Sequence, residues 1–386
     1  MIYLGVDFGT TNSCIYITQD DSINPISIVQ NVDGSPVIMP SVLCEKIEDG
    51  TLKRYYGIEA LNEVDESVKF FSNLKLSLRD KANRGKFTSN NGWQYYYRGK
   101  PLSGLKYNKK ELTKDFINQL LMKSGIIFGD GSITWDNGRR SAAVTKVKIT
   151  MGHPVFMEKK QEEAYLAFFK DILETLGFAK DNIVFELEPC LAAYGLARGA
   201  DRDITKGDRI LIFDCGGGTT DVSILERQEN NSYCIKDCDG CNYAGVAIDK
   251  ALYRYMRKKS KQDYAKNFID NVFDGKTEIN IKYLTSIRQL KEDACINPNN
   301  KITIKDLKYA RELGILDCPD FSFTEFYESE FWQDVIKKIL QPLYTVIERA
   351  NSTITGRLIK KFYLAGGSSA MPKIKKELER ILNEHK

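Results

Sequence analysis

The most informative part of the sequence is the stretch Ile210-Leu-Ile-Phe-Asp-Cys-Gly-Gly-Gly-Thr-Thr-Asp-Val-Ser-Ile224. Four apolar residues predict a buried strand, which ends at Asp214, and three glycines follow before a second strand begins. The pattern predicts a β-hairpin whose tip exposes consecutive backbone N–H groups. Such donors suit phosphate oxygens, because glycine lets a phosphate come close to the backbone. A carboxylate on the preceding strand adds a hold on Mg²⁺ through its water shell.

The same pattern occurs at the amino terminus. Residues 2–6 are the strand, Asp7 is the carboxylate, residues 9–11 are the turn and residues 12–17 return as a strand. Two matching turns about half a chain apart indicate an internal duplication. Two such hairpins facing each other would place Asp7 and Asp214 on opposite sides of one metal–phosphate unit.

Five motifs resemble those of the heat-shock-protein-70 chaperones, which belong to the actin, sugar-kinase and heat-shock-protein ATPase superfamily. Residues 5–13 and 213–221 resemble the two phosphate motifs of that family. Residues 149–156 and 188–195 are similar to its strand-and-loop and connecting motifs, and residues 362–372 resemble its adenosine motif. The motifs stand in the family's order and span nearly the entire chain. They correspond to the family's nucleotide-binding domain and to nothing beyond it.

The resemblance implies an α/β, two-lobed, actin-like ATPase fold, with ribonuclease-H-like duplicated sheets and helices and an upper subdomain in each lobe. Two lobes also fit the length, since 386 residues exceed the ~100–200 of one domain. The expected boundaries are lobe I at 1–202, with its core at 1–36 and 113–202 and its upper subdomain at about 37–112, and lobe II at 203–386, with its core at 203–243 and about 325–386 and its upper subdomain at about 244–324.

Hydrophobic periodicity and turn residues predict the remaining elements. Residues 60–76 carry apolar residues at helical spacing, and residues 130–145 are predicted as a loop. The other expected strands are 27–30, 37–45, 146–150, 183–187, 233–237 and 361–364. The other expected helices are 111–124, 158–176, 190–198, 250–258, 280–294, 331–352 and 372–384.

The resemblance also implies the site of Mg-ATP hydrolysis. Asp7 and Asp214 would orient water molecules on Mg²⁺, with Glu188 supporting that shell. Lys75 would offset charge on the γ-phosphate, and Asp221 would help orient the attacking water. The hydroxyl of Thr219 would contact the γ-phosphate. The nucleotide-binding residues implied for ATP or ADP are Gly9, Thr10, Thr11, Asn12, Gly216, Gly217, Gly218, Thr219, Gly245, Arg288, Lys291, Glu292, Cys295, Gly366, Gly367, Ser368 and Ala370.

Two of these positions depart from the family pattern. Glu292 stands where the family has an adenine-stacking arginine, and Ala370 stands where the adenosine motif has another. A guanidinium on a purine contributes ~1–2 kcal/mol, so losing two would weaken binding by orders of magnitude. The specificity for the base is therefore left open.

The amino-acid composition and net charge limit the binding partners and the cellular compartment that we expect. The net charge of +4 is small and its lysines are scattered, so nucleic-acid binding is not expected. No apolar segment is long enough to span a bilayer, and the first strand starts directly after Met1, so we expect a cytoplasmic protein without membrane contact. The nine cysteines are then expected to be reduced thiols.

Two cysteine features raise hypotheses. Cys234, Cys238 and Cys241 stand close in sequence, but no histidine lies nearby to complete a zinc site, so strand thiols are the favoured interpretation. Cys215 lies inside the second phosphate motif, and its oxidation would block nucleotide binding if the thiol is accessible.

Three functional interpretations remain open at this point. The first is a slow ATPase that acts as a chaperone-type switch, with a peptide-binding domain or co-chaperone outside this chain as partner. The second is a weakly catalytic or non-catalytic scaffold of the same fold, including a filament-forming actin relative. The third is a small-molecule kinase of the same superfamily, which the sequence disfavours because no Asp–Arg pair for a sugar hydroxyl is recognisable.

Overall fold

The computed structural model of the protein describes most of the chain and divides it into two compact units. The first unit comprises Met1–Tyr97 and Leu102–Leu191, and the second comprises Arg98–Pro101 and Ala192–Lys386. The predicted lobe boundary at 202/203 lies outside the described residues. The residues described are 1–19, 26–27, 38–63, 69–72, 75, 94–97, 100–101, 109–135, 138–155, 159–199, 204–229, 232–260, 281–297, 299–308, 310–311, 313–353 and 359–384.

Strands and helices alternate along the described residues. The strands are β1 Ile2–Phe8, β2 Asn12–Gln19, β3 Ile26–Ser27, β4 Met39–Pro40, β5 Leu43–Glu48, β6 Thr51–Tyr56, β7 Lys69–Ser72, β8 Gln94–Tyr97, β9 Lys100–Pro101, β10 Ile127–Gly129, β11 Ser132–Trp135, β12 Arg140–Ala143, β13 Val147–His153, β14 Ile183–Leu187, β15 Arg209–Cys215, β16 Thr220–Arg227, β17 Tyr233–Cys241, β18 Lys301–Ile302, β19 Phe321–Ser322 and β20 Ile359–Ala365. The helices are α1 Ile58–Asn62, α2 Lys109–Lys123, α3 Lys159–Thr175, α4 Glu188–Gly199, α5 Gly245–Lys259, α6 Ile281–Ile296, α7 Phe323–Tyr327, α8 Glu330–Thr353 and α9 Pro372–Glu384, and the 3₁₀ turns are Val144–Lys146, Lys180–Asn182, Ile304–Asp306 and Gly367–Ala370.

The main sheet of the first unit has the strand order β14-β13-β1-β2-β3, and β4 also pairs with β2. β1 runs antiparallel to β2 and parallel to β13. Side chains of β1 alternate in burial, as a strand in a half-covered sheet requires. The ring of Phe8, at the end of β1, packs edge-on against Phe116 of α2 at 5.9 Å and Phe169 of α3 at 5.5 Å. This core fixes the end of β1, where the first glycine turn begins.

The main sheet of the second unit repeats this arrangement in the order β17-β16-β15-β20. β15 runs antiparallel to β16 and parallel to β20, as β1 does to β2 and β13. The core under the sheet includes Phe213 of β15 and the fully buried Trp332 of α8. The duplication predicted from the two glycine turns is therefore present in the backbone topology.

A second sheet of the first unit contains the strands β6, β5, β7 and β8 in that order. β5 and β6 are joined by Asp49 and Gly50, both at positive φ (50° and 75°), which is the geometry of a tight hairpin turn. Arg54 of β6 donates to Glu45 of β5 at 2.9 Å and also bonds Asp115 of α2. This ion-pair network ties the second sheet to the helix beside the main sheet.

Two sequence-based expectations are wrong. Residues 69–72, expected to continue a helix, form β7, because they pair with Leu43–Glu45 of the neighbouring strand. The loop expected at 130–145 contains β11 and β12, which form a three-stranded sheet with β10. Asp130 and Gly131, at φ 35° and 75°, make the two-residue hairpin turn between β10 and β11, a signal that the sequence carried.

The remaining expected elements are present within a few residues of their predicted bounds. The predicted strand 183–187 and helix 372–384 coincide with β14 and α9. The short strand expected at 27–30 lies mostly outside the described residues. Within the described ranges, no helix combines the length and the apolar character needed to cross a bilayer.

Candidate functional site

In the first unit the glycine turn connects β1 to β2. A Cβ at Gly9 would collide with the carbonyl oxygen of Asn12, so only glycine fits this tight turn. The carbonyl oxygen of Thr11 accepts a hydrogen bond from the Ser41 N–H at 2.7 Å. Because a trans peptide points its C=O and N–H in opposite directions, the N–H of Asn12 faces away from Ser41. Half-buried Thr10 and Thr11 complete the turn.

Asp7 is the next-to-last residue of β1, opposite Cys14 of β2. The residue as a whole is exposed, yet the protein packed around its carboxyl group desolvates that group and raises its pKa. The ammonium of Lys75 opposes that shift, and the carboxylate of Glu188 adds to it. The sequence-predicted residues Asp7, Lys75 and Glu188 therefore lie close enough together to interact electrostatically.

Lys75 and Glu188 form a direct ion pair between Nζ and Oε1. Their side chains are only 13% and 26% exposed, so the pair is partly shielded from solvent. Glu188 opens α4 immediately after β14, where an acidic residue is favoured by the positive end of the helix dipole. Gly152 makes room for it, since a Cβ there would lie 3.0 Å from Glu188 Cγ. Gly152 was not among the predicted site residues, although it lies inside the motif at residues 149–156.

In the second unit Asp214 lies opposite Asp221 in the β15–β16 register, and the glycine turn closes the hairpin. The Gly216 N–H donates to the carbonyl of Thr219 at 3.0 Å. The carbonyls of Gly216 and Gly217 accept hydrogen bonds from the first N–H groups of α5, those of Gly245 at 3.1 Å and Val246 at 2.7 Å.

These hydrogen bonds determine where the amide groups of the turn point. Since both carbonyls are directed at α5 and the peptides are trans, the N–H groups of Gly217 and Gly218 are directed away from α5. The turn thus presents two consecutive backbone donors on its outer side. Such a pair is the donor set that a phosphate oxygen accepts from.

A second turn packs against Asp214. Gly366, directly after β20, has φ 78° and ψ 141°, a backbone conformation essentially reserved for glycine. A Cβ at this position would collide with Asp214 Oδ1 and with the carbonyl oxygen of Cys215. The neighbouring Gly367 has open space around its Cβ position. Gly366 therefore lets the 3₁₀ turn approach the carboxylate closely.

Lys291 of α6 is 6% exposed and its ammonium is 2.7 Å from Asp249 Oδ1 and 3.2 Å from the carbonyl oxygen of Gly245. Arg288, one turn earlier on α6, lies 3.6 Å from Asp249 Oδ2. Asp249 is buried and was not among the predicted site residues. A carboxylate on the buried face of α5, four residues after Gly245, was the signal available for it.

The two departures from the family pattern lie at the surface. Glu292 and Ala370 are exposed. The side chain of Cys295, also predicted to bind nucleotide, lies outside what the structure describes.

The cysteine hypotheses can be compared with the burial of the thiols. Cys215 is fully buried, and this burial raises the pKa of its thiol to about 12. An inaccessible protonated thiol is a poor target for oxidation, which opposes the hypothesis drawn from its position. Within the described part of the chain, no group of three or more His, Cys, Asp or Glu side chains is arranged to hold a metal ion directly. Cys234, Cys238 and Cys241 all lie on β17.

Each unit has a main sheet that carries a glycine hairpin, with a carboxylate on the first strand of the hairpin. This repeated arrangement is that of a mixed α/β protein and is consistent with the actin-like ATPase fold. The family model described as "Hsp70 protein" matches residues 140–386, and the chain belongs to the Hsp70 family.

Relatives support this membership at low identity. A "Heat shock 70 kDa protein" of Trichophyton rubrum is 23% identical over 385 residues, covering 98% of this chain and 53% of the relative. "Heat shock 70 kDa protein 2" of Paracoccidioides lutzii is 23% identical with the same coverage, and a "Heat shock 70 kDa protein" of Ajellomyces capsulatus is 23% identical over 98% of this chain and 50% of its own length. The chain thus spans about half the length of the curated relatives it matches.

Proposed function

We propose that this chain binds Mg-ATP and hydrolyses it slowly, as the nucleotide-binding part of a chaperone-type conformational switch. The observation that carries the proposal is the cluster of Asp7, Lys75 and Glu188 beside the first glycine turn. Two carboxylates and one ammonium, with a turn that suits phosphate, are the groups that phosphoryl transfer requires.

The residues fit a magnesium ion held through water. Asp7 and Asp214 stand at strand ends next to glycine turns, and Glu188 is near enough to Asp7 to raise the pKa of its carboxyl group. Magnesium keeps several of its waters and takes oxygen ligands, so carboxylates that hydrogen-bond those waters suffice. When bound, the ion would neutralise charge on the β- and γ-phosphates.

Backbone N–H groups and side chains of the protein would bind the phosphates and position the attacking water. The N–H groups of Gly217 and Gly218 would donate to phosphate oxygens, and Lys75 would offset charge on the γ-phosphate. The hydroxyl of Thr219 would contact that phosphate, and Asp221 would orient the attacking water. Positioning and charge compensation carry such a reaction, so no histidine is needed as a base.

Phosphate release by single-site variants tests the proposal. We expect Lys75→Ala and Asp214→Ala to lower kcat by about 10²–10³, because each removes a group that stabilises the transferring phosphoryl. Lys123→Ala is the matched control, since Lys123 pairs with Glu59 at 2.8 Å on the same unit and is not a predicted site residue. Wild-type rates in Lys75→Ala, Asp7→Ala and Asp214→Ala would remove this site from the account.

The exposed Glu292 and Ala370 favour a second candidate, a nucleotide-binding scaffold with little or no catalysis. In that case the wild-type protein would bind nucleotide without releasing phosphate. Light scattering that rises with protein concentration and nucleotide would identify a filament-forming relative.

The switch proposal extends to partners and compartment. Lobe closure on ATP and reopening after hydrolysis would transmit the nucleotide state to a peptide-binding domain or a co-chaperone. The relatives are about twice as long as this chain, which leaves length for such a domain in them. A cytoplasmic location and the absence of nucleic-acid and membrane partners stay predictions.

A further inference from the structure

The orientation of the Gly216–Gly217 peptide decides whether the second glycine turn attracts or repels an anion. With the Gly216 carbonyl directed at α5, the Gly217 N–H faces outward. A flipped peptide would instead direct a carbonyl oxygen outward, toward any phosphate. Because glycine populates both signs of φ, a glycine turn does not resist such a flip by itself. Some contact must hold the peptide in the phosphate-binding orientation.

A side chain from a distant part of the chain supplies that contact. The hydroxyl of Ser368 donates to the carbonyl oxygen of Gly216 at 2.8 Å, across 152 residues of sequence. Ser368 is only 8% exposed and belongs to the 3₁₀ turn Gly367–Ala370. The same oxygen also accepts from the Gly245 N–H. The space for the hydroxyl depends on Gly245, since a Cβ there would lie 2.5 Å from Ser368 Oγ.

The adjacent serine makes a contact of a different kind. Ser369 is 3% exposed, and its hydroxyl donates to the carbonyl of Gly366 at 2.7 Å, within its own turn. Two neighbouring serines are therefore alike in burial and hydrogen bonding, but only Ser368 has a bond to the glycine turn.

We propose that Ser368 is a positioning residue, which holds the Gly216–Gly217 peptide with its N–H outward and so couples the 3₁₀ turn to phosphate binding. This rests on the proposed function, because it concerns how that site binds the nucleotide phosphates. Ser368 then acts through the glycine turn. Its loss weakens binding of phosphate-bearing ligands selectively.

Calorimetric titration of Mg-ADP and of adenosine into the full chain tests the proposal. Ser368→Ala is expected to weaken Mg-ADP binding about threefold to tenfold, the effect of one neutral hydrogen bond, and to weaken adenosine binding by a clearly smaller factor. Ser369→Ala, the matched control, is expected to change neither affinity by more than about twofold. Thermal melting without ligand verifies that both variants fold.

Four results would overturn the proposal. Wild-type Mg-ADP affinity in Ser368→Ala would show that the hydroxyl does not hold the peptide. An equal loss for Mg-ADP and adenosine, or an equal Mg-ADP loss in Ser369→Ala, would assign the effect to general disruption of the turn. Failure of the wild-type chain to bind Mg-ADP would refute the proposed function itself, and the positioning role with it.

Discussion

Replacement of Gly366 by alanine should lower the stability of the protein and weaken nucleotide binding, because two separate structural features require glycine at this position. Its φ and ψ of 78° and 141° lie in a region that costs a non-glycine residue about 1–3 kcal/mol. The added Cβ would also collide with Asp214 Oδ1 and the Cys215 carbonyl. Relieving that overlap means shifting paired strands, and such overpacking costs about another 1–3 kcal/mol.

Together these costs come to about 4 kcal/mol, a large fraction of the 5–15 kcal/mol of a typical domain. For a unit of this size, that loss lowers the Tm by about 8–16 °C. Scanning calorimetry of the Gly366→Ala variant measures the shift directly. Displacement of the Asp214 carboxylate should also weaken Mg-ADP binding, which titration calorimetry of the same sample would record.

Gly367→Ala is the matched control for stability. The Cβ position of Gly367 has no atom within 4 Å, and its φ is not in the left-handed region. We expect this variant to melt within about 3 °C of wild type, as surface substitutions usually do. A Gly366→Ala variant that also melts at the wild-type temperature would refute the reasoning about the tight approach of this turn to Asp214.

Two further predictions concern other parts of the chain. Because burial raises the Cys215 pKa to about 12, roughly one thiol in 10⁴ is ionised at pH 8. Labelling by iodoacetamide should therefore be far slower at Cys215 than at the half-buried Cys241. Equal labelling rates at the two cysteines, measured by mass spectrometry, would contradict this prediction. Arg54→Met should lower the free energy of unfolding by about 3–5 kcal/mol in urea denaturation, because it leaves the 3%-exposed Glu45 unpaired. Lys53→Ala, at a solvent-exposed pair, should leave the urea midpoint close to that of the wild type. Adding Glu45→Gln to Arg54→Met should recover part of that loss, and no recovery would argue against the unpaired-charge explanation.

The structural elements that the sequence predicted well are those encoded by a short-range pattern of residues. The two glycine hairpins follow from short apolar runs that end at a carboxylate and glycines, and the chain forms them as predicted. The helix starting at Pro372 follows from amphipathic spacing and a proline in its first turn.

The features that sequence missed depend on distant contacts. Asp249 forms its ion pair with Lys291 only when α5 and α6 pack together. The strand Lys69–Ser72 forms because β5 pairs with it, and its two phenylalanines suit a helix or a strand equally. The hydrogen bond from Ser368 to Gly216 joins residues that are 152 positions apart in the sequence, so no local sequence pattern predicts it.

The proposed Mg-ATP site is tested by titration calorimetry of ATP with and without Mg²⁺, on the wild-type chain and on Asp7→Asn and Asp214→Asn. We expect one nucleotide per chain, binding that weakens at least about tenfold without Mg²⁺, and loss of this magnesium dependence in both variants. Magnesium-independent binding by the wild type, or full magnesium dependence retained in either variant, would contradict the proposed roles of Asp7 and Asp214 in binding magnesium.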